Sequence, residues 1–272
     1  MRRLPAPAKI NLALVVGPRR ADGRHEVVTV LQRIDLVDRV AIDVAESLSV
    51  SGFAADTLVR RALEALAAAA GVEPRWQARI QKRIPVASGL GGGSSDAATA
   101  LLLANRTLPE PLEPDVLHEL AAGLGADVPF FLRHGPALAT GTGTELGDLE
   151  LPQDFWVVLV LPSDAVKRST AVVYDAFDAR AGGKGFDERR TVLLKALRSV
   201  RRARDLGALP PNDLASSPVA GELVARGAFR ADVTGAGPAV YGLFMRRSQA
   251  EQAARGLRRL GRVWVTVPAW YG

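Results

Sequence analysis

The chain has 272 residues, enough for one large domain or two of ordinary size. Apolar residues make up 48% of it, so it can bury a sizeable core, and no apolar run approaches the ~18 residues of a membrane span. Cysteine is absent, which excludes disulfides, thiolate catalysis and cysteine metal sites and fits a cytoplasmic protein.

The net charge of +6 has two readings: an anionic partner, or an arginine-rich composition in which only five of 35 basic residues are lysine. The opening Met-Arg-Arg-Leu-Pro-Ala-Pro has no apolar core behind its charges, so no secretory signal is expected. Residues 4–16 read as a strand, with Ile10, Leu12 and Leu14 on one face and Lys9, Asn11 and Ala13 on the other. Residues 27–36 and 39–44 are strand candidates with a turn near Val37-Asp38. Residues 56–70 are predicted helical, stopped by Gly71. Residues 76–84 alternate as a strand into a glycine loop, and helices follow at 95–106 and 115–124, the second entered through Pro114 and closed by Gly125.

Residues 135–149 read as strand and loop, and Pro152-Gln153-Asp154 precedes an apolar strand at 156–161. The domain boundary is placed between them, giving an N-terminal domain 1–150 and a C-terminal domain 151–272. Helices are predicted at 170–177 and 188–204. Asn212-Asp213-Leu214 sits in a proline-bounded turn before another helix, and residues 232–237 form a second glycine turn. A strand at 240–244, a helix at 248–260 and a strand at 262–267 complete the chain; that last strand either stays in its own half or returns to the first. The fold class expected is α/β, the second half an α+β sandwich.

The richest chemistry lies in Pro85-Val86-Ala87-Ser88-Gly89-Leu90-Gly91-Gly92-Gly93-Ser94-Ser95, at the head of an Ala/Leu helix. Glycine allows positive φ and turns backbone N–H groups inward. A helix N-terminus adds free N–H groups and about half a positive charge. Together they form a cradle for an anion such as phosphate. The loop lacks the Gly-Lys-Ser/Thr ending of a P-loop, and Asp96 stands where a dinucleotide fingerprint has its third glycine.

Four more motifs accompany it: Lys9-x-Asn11, Asp22-Gly23-Arg24-His25, Gly125-Ala126-Asp127-Val128-Pro129 and Thr234-Gly235-Ala236-Gly237-Pro238. Singly each has a plain structural reading. Lys9 would be a solvent-facing residue of an edge strand, Asp127 a helix cap, His25 an exposed turn residue, and the last motif an ordinary turn. All five in this order are specific.

In that order they resemble the GHMP small-molecule kinases over about residues 5–245. Lys9-x-Asn11 and Asp22-Gly-x-His25 are similar to members acting on a cytidine-diphosphate-linked methylerythritol. The resemblance implies a two-domain fold with the active site in the interdomain cleft, and ATP held by Pro85 to Ser95. Mg²⁺ is implied by the chemistry, within reach of Ser94 or Ser95, with no protein metal ligand assigned. Asp127 would accept the proton of the attacking hydroxyl. Lys9 would pair with Asp127 and stabilise charge on that oxygen or the γ-phosphate. His25 matches the position that recognises cytosine. Tyr174 matches an aromatic on the other side of the base, with a helix-core aromatic as its other reading. Asn11, Thr234, Gly235 and Gly237 fall on the substrate side.

Two positions depart from the family pattern. Arg24 replaces a common stacking tyrosine, and a guanidinium can also stack on a base or pair with a diphosphate. Thr57, in Asp56-Thr57-Leu58, replaces an asparagine near the nucleotide. Asn212-Asp213-Leu214 is read as a helix cap and domain-packing feature. His118 and His134 are not read as metal ligands.

The implied reaction moves the γ-phosphoryl of ATP to the C2 hydroxyl of the methylerythritol moiety, in the non-mevalonate route to isoprenoid precursors. One rival is a GHMP kinase for mevalonate, homoserine or a sugar, against which His25 and Lys9-x-Asn11 argue. The other is a basic RNA-binding module, against which the 6% aromatic content argues. The expected partner is a small molecule, with no nucleic acid and no membrane; the oligomeric state is left open.

Overall fold

A computed structural model describes residues 2–53, 57–164 and 169–269. In chain order the elements are β1 (Arg2–Arg19), β2 (His25–Val44), β3 (Ser49–Ser51), α1 (Leu58–Ala70), β4 (Trp76–Gln81), α2 (Gly92–Asn105), α3 (Pro114–Leu124), β5 (Ala137–Thr140) and β6 (Glu145–Asp148). They continue with β7 (Trp156–Pro162), α4 (Thr170–Ala179), α5 (Phe186–Ser199), α6 (Pro218–Ala225), β8 (Arg230–Val233), β9 (Val240–Phe244), α7 (Arg247–Leu257) and β10 (Gly261–Thr266).

Two sheets result. In the first, β2 pairs antiparallel with β1 along one edge, and along the other with β5 near its start and β4 near its end. β3 and β6 extend it outward. The second sheet is antiparallel, in the order β10-β7-β9-β8.

β1 is buried on both faces from Ala6 to Gly17, so the expected alternation of wet and dry faces does not appear. The reason is that both faces are covered. On one, Ala6, Leu31, Val40 and Ile42 pack with α1 and α2. On the other, Ile10, Leu12, Val28 and Val30 meet Val157, Leu159, Tyr241 and Leu243 of the second sheet. The far face of that sheet is closed by α6 and α7. α1 presents Val59, Ala62, Leu63, Leu66 and Ala67 inward at helical spacing and stops, as expected, at Gly71 with φ 65°. α2 is apolar nearly all round and lies buried between α1 and the sheet.

Several expectations are corrected. No turn interrupts β2 at Val37-Asp38. Pro7 pairs with Val37 and Ala8 with Ile34, so the extra residues are taken up as a bulge. Asp38 lies fully buried within the strand, its carboxylate accepting from Lys82 and from the N–H groups of Arg83 and Ile84. The predicted start of the first helix at Asp56 lies outside the described residues. The helix predicted at 188–204 ends at Ser199, and a 3₁₀ turn covers Ala203–Ala208. Asn212-Asp213-Leu214 caps no helix; Ser217 caps α6, accepting from Val219 N–H. Its packing role stands, because Asp213 Oδ2 accepts from Val16 N–H at 2.8 Å. β10 lies in the second sheet, and the residues after it run back along β2. There Asp35 N–H reaches Val267 O at 2.8 Å and Ala269 N–H reaches Arg33 O at 3.1 Å.

Tyr241 ties the two sheets by hydrogen bonds. Fully buried on β9, it accepts from Arg230 Nε at 3.0 Å and donates to Leu12 O at 3.3 Å on β1. Tyr241→Phe leaves a buried guanidinium and a buried carbonyl each short of a partner. It is expected to lower the unfolding free energy by about 1–3 kcal/mol, read from urea denaturation midpoints.

Candidate active site

The glycine loop leaves β4 and turns through three left-handed residues: Ala87 at φ 52°, Gly89 at φ 86° and Gly91 at φ 70°. Ala87 pays a backbone strain of the kind that gathers at functional sites. Gly89 has no alternative, since a Cβ there would lie 2.2 Å from Thr234 O. The same holds for Gly237, whose Cβ would lie 2.2 Å from Gly89 N and Ser88 C. The two glycine turns therefore touch backbone to backbone. Ser88 O accepts from Ala239 N–H at 3.1 Å, and Ser88 Oγ donates to Pro85 O at 2.7 Å.

Gly91 caps α2, and its carbonyl accepts from Ser95 N–H at 2.9 Å. The N–H groups of Gly92, Gly93 and Ser94 stand in the first turn, ahead of any helical acceptor. A Cβ at Gly93 would meet nothing within 4 Å. The helix thus opens onto free space where an anion fits.

Lys9 leaves β1 beneath this loop. Its N–H donates to Leu90 O at 2.9 Å, and its ammonium, in a residue only 3% exposed, donates to Asn11 Oδ1 at 2.7 Å. The solvent-facing reading of Lys9 is thereby overturned. Asn11 is fixed in turn by Thr29 Oγ1 at 2.8 Å and by Thr234 Oγ1, which accepts from Asn11 N–H at 3.1 Å. Gly235 folds over the pair, so close that a Cβ would lie 3.3 Å from Lys9 Nζ. Asn212 holds that turn by donating to Gly235 O at 2.8 Å and Val233 O at 3.0 Å.

Asp127 lies across the opening, with Oδ2 3.5 Å from Lys9 Nζ and its side chain 39% exposed. It caps nothing: Val128 precedes the 3₁₀ turn Pro129–Leu132, with no side-chain cap. Arg33 anchors that turn by donating to Phe130 O at 3.2 Å and Phe131 O at 2.8 Å. Lys9, Asp127, Gly91, Ser94, Gly235 and Tyr174 are among the residues lining one cleft of ≈ 620 Å³.

A side lobe of ≈ 310 Å³ continues from it, lined by Arg24, His25, Tyr174 and Asp175 among others. His25 is buried, not an exposed turn residue. Its ring centroid lies 4.7 Å from that of Tyr174, tilted 35°, and 6.1 Å from that of Phe177. Two rings in direct contact leave no gap for a base, so the expectation that Tyr174 covers the other side of a base from His25 does not hold in this conformation. Burial first, and the negative charge of Asp127 second, push the Tyr174 hydroxyl up to about 12, so it remains a donor.

The chain matches the family of GHMP kinases N terminal domains over residues 57–135 and that of GHMP kinases C terminal domains over 214–263. It is 38% identical to 4-diphosphocytidyl-2-C-methyl-D-erythritol kinase of Geobacter metallireducens, over 93% of each chain. It is 41% identical to the enzyme of that name from Pelotomaculum thermopropionicum, again over 93% of each. A crystal structure of 4-(cytidine 5'-diphospho)-2C-methyl-D-erythritol kinase superposes with a TM-score of 0.79 at 32% identity, covering 98% of this chain and 99% of that one. The chain belongs to the GHMP kinases, in the family of 4-diphosphocytidyl-2-C-methyl-D-erythritol kinase. A mevalonate kinase structure also superposes, at TM-score 0.74 but 14% identity, and so shares the fold.

Against this kinase family two expected positions shift. Ser95 is fully buried, and its hydroxyl has no hydrogen-bond partner among the described residues, so of the two serines only Ser94 reaches the cleft. Thr57 is exposed at the head of α1 and does not line the cleft. No group of three or more His, Cys, Asp or Glu side chains able to hold a metal occurs among the described residues.

Sequence reasoning missed the residues that brace the kinase site. Lys82 Nζ donates to Asp38 and, at 2.7 Å, to Asp96 Oδ2, both carboxylates fully buried. Burial alone would lower the Lys82 pKa; the charges and hydrogen bonds of Asp96 and Asp38 outweigh it and raise it. This clamp fixes the entry to the loop and the first turns of α2. Its signal was present as an aspartate inside an Ala/Leu helix. Asp178, whose Oδ1 lies 2.8 Å from His25 Nε2, gave no signal until α4 was in place.

The two glycine turns predict opposite outcomes. Gly237→Ala is expected to lower the thermal unfolding midpoint, because backbone must move. Gly93→Ala is expected to keep or raise it, alanine being the better helix former by about 1 kcal/mol, while weakening ATP binding measured by calorimetry. Equal midpoints for both variants would count against the interlocked turns.

Proposed function

We propose that this kinase transfers the γ-phosphoryl of ATP to the 2-hydroxyl of 4-diphosphocytidyl-2-C-methyl-D-erythritol. One observation carries the reading: the open N-terminus of α2, the buried ammonium of Lys9 and the carboxylate of Asp127 meet in a single cleft. The loop Pro85 to Ser95 would hold the phosphates by backbone N–H groups, which need no lysine of the P-loop kind. Lys9, with one N–H committed to Asn11, keeps donors for a phosphoryl oxygen and the attacking hydroxyl. Asp127 accepts the hydroxyl proton as the O–P bond forms and the bond to ADP breaks. A loose transition state makes that transfer late, so positioning by Lys9 and Asn11 counts for as much as basicity.

Mg²⁺ would neutralise phosphate charge. Ser94 is the cleft-facing hydroxyl suited to hold it, with phosphate oxygens supplying most other ligands. The base would enter the side lobe at His25, Arg24 and Tyr174. Residues 1–150 would form the ATP-binding domain and 151–272 the substrate domain. That every strand of the first sheet precedes residue 150 and every strand of the second follows it supports the division. Use of ATP supports a cytoplasmic location; no helix among the described residues is long and apolar enough to cross a membrane.

Asp127→Asn and Lys9→Met are each expected to lower kcat about 10²–10⁴-fold in a coupled ADP-release assay, with unchanged circular dichroism. Wild-type rates in either variant would remove the assigned pair. Turnover of mevalonate and not of the cytidyl compound would redirect the reading to another GHMP substrate.

A further inference from the structure

His25 stands at the start of β2, and its ring forms part of the side lobe wall. The imidazole has two distinct edges. Nε2 lies 2.8 Å from Asp178 Oδ1, and nothing among the described residues hydrogen-bonds Nδ1. A carboxylate accepts only, so the contact requires the proton on Nε2. In the neutral ring Nδ1 then carries a lone pair and acts as an acceptor. The ring cannot turn over freely, since Tyr174 and Phe177 pack against it from the same helix as Asp178. Positions 174, 177 and 178 share one face of α4.

We infer that Asp178 is a positioning residue that fixes the His25 tautomer, and so makes the side lobe selective for a pyrimidine bearing an exocyclic amine. This rests on the proposed function, which places the base in that lobe. Cytosine offers an N–H donor at its exocyclic amine. Uracil offers a carbonyl there, which would set two lone pairs against each other. His25 itself is buried, so leaving its acceptor unmet costs enough to produce at least about tenfold discrimination. Without Asp178 the ring is free to carry its proton on Nδ1, and the preference fades.

The test uses cytidine and uridine diphosphate as probes, with Kd values from calorimetry on the wild type and on Asp178→Ala. The wild type is expected to prefer the cytidine compound at least about tenfold, and Asp178→Ala to lose most of that preference. Nitrogen-15 spectra of the imidazoles report the tautomer directly, with only His118 and His134 to separate from His25. They should show Nε2–H in the wild type and a mixture in the variant. A wild type with no preference, a variant that keeps it, or Nδ1–H in the wild type would overturn the inference. The wild-type measurements decide even if the variant folds poorly. A protein that prefers cytidine diphosphate by this tautomer yet fails to phosphorylate the methylerythritol compound would uphold Asp178 and refute the proposed function.

Discussion

The site depends on a contact that no side chain makes. Backbone at Ser88 and Gly89 lies so close to Gly237 that even a methyl group would collide with main-chain atoms. Through that contact a loop of the first sheet and a turn of the second become one surface. Thr234 reaches Asn11, Ala239 reaches Ser88, and Lys9 hangs from Leu90. The bond between the two turns forms because they are in register, and the register exists because two residues lack Cβ atoms. Main-chain atoms cannot move aside as the end of a flexible side chain can, so the constraint is stiff where the proposed reaction would aim the phosphates.

Charge is distributed with the same economy. The proposed cradle would work through peptide dipoles, and Lys9 is a buried cation in the cleft itself. Two fully buried carboxylates, Asp38 and Asp96, stand behind the loop, where their field would oppose a phosphate at the head of α2. Lys82 bridges both and offsets part of that field. A buried ion cluster of this kind adds little net stability, because desolvation opposes its Coulomb attraction. Its value lies in fixing three backbone segments: β2 at Asp38, the loop entry at Arg83 and Ile84, and α2 at Asp96.

What the sequence made legible follows from the kind of force involved. The glycine loop, the helix behind it, the Gly71 stop and the pairing of Lys9 with Asp127 rest on local backbone chemistry or on motifs, and these emerged. The double burial of β1 did not, since whether a strand has one covered face or two depends on elements far along the chain. The supposed turn at Val37-Asp38 failed for the same reason: an aspartate in an apolar run looks like a turn until Lys82 and two N–H groups supply its partners. Ser94 and Ser95 were inseparable as letters. A helical step of about 100° puts one at the cleft and the other in the core.

The lobe near His25 is tied to the cleft at Asp127 through a single helix. α4 is seated by Val173 and Phe177 against Leu14, Val16, Val27 and Leu214, a small cluster between the strands that carry Lys9 and His25. From that seat it directs Asp178 and Tyr174 to His25, while the Tyr174 hydroxyl feels the charge of Asp127. A rotation of α4 would therefore disturb the His25 edge proposed to read the base and the electrostatics around Asp127 together. On the proposed reading, fidelity to the base and placement of the alcohol would be set by the same few apolar contacts, and a substrate lacking the base would forfeit alignment at Asp127 as well as affinity.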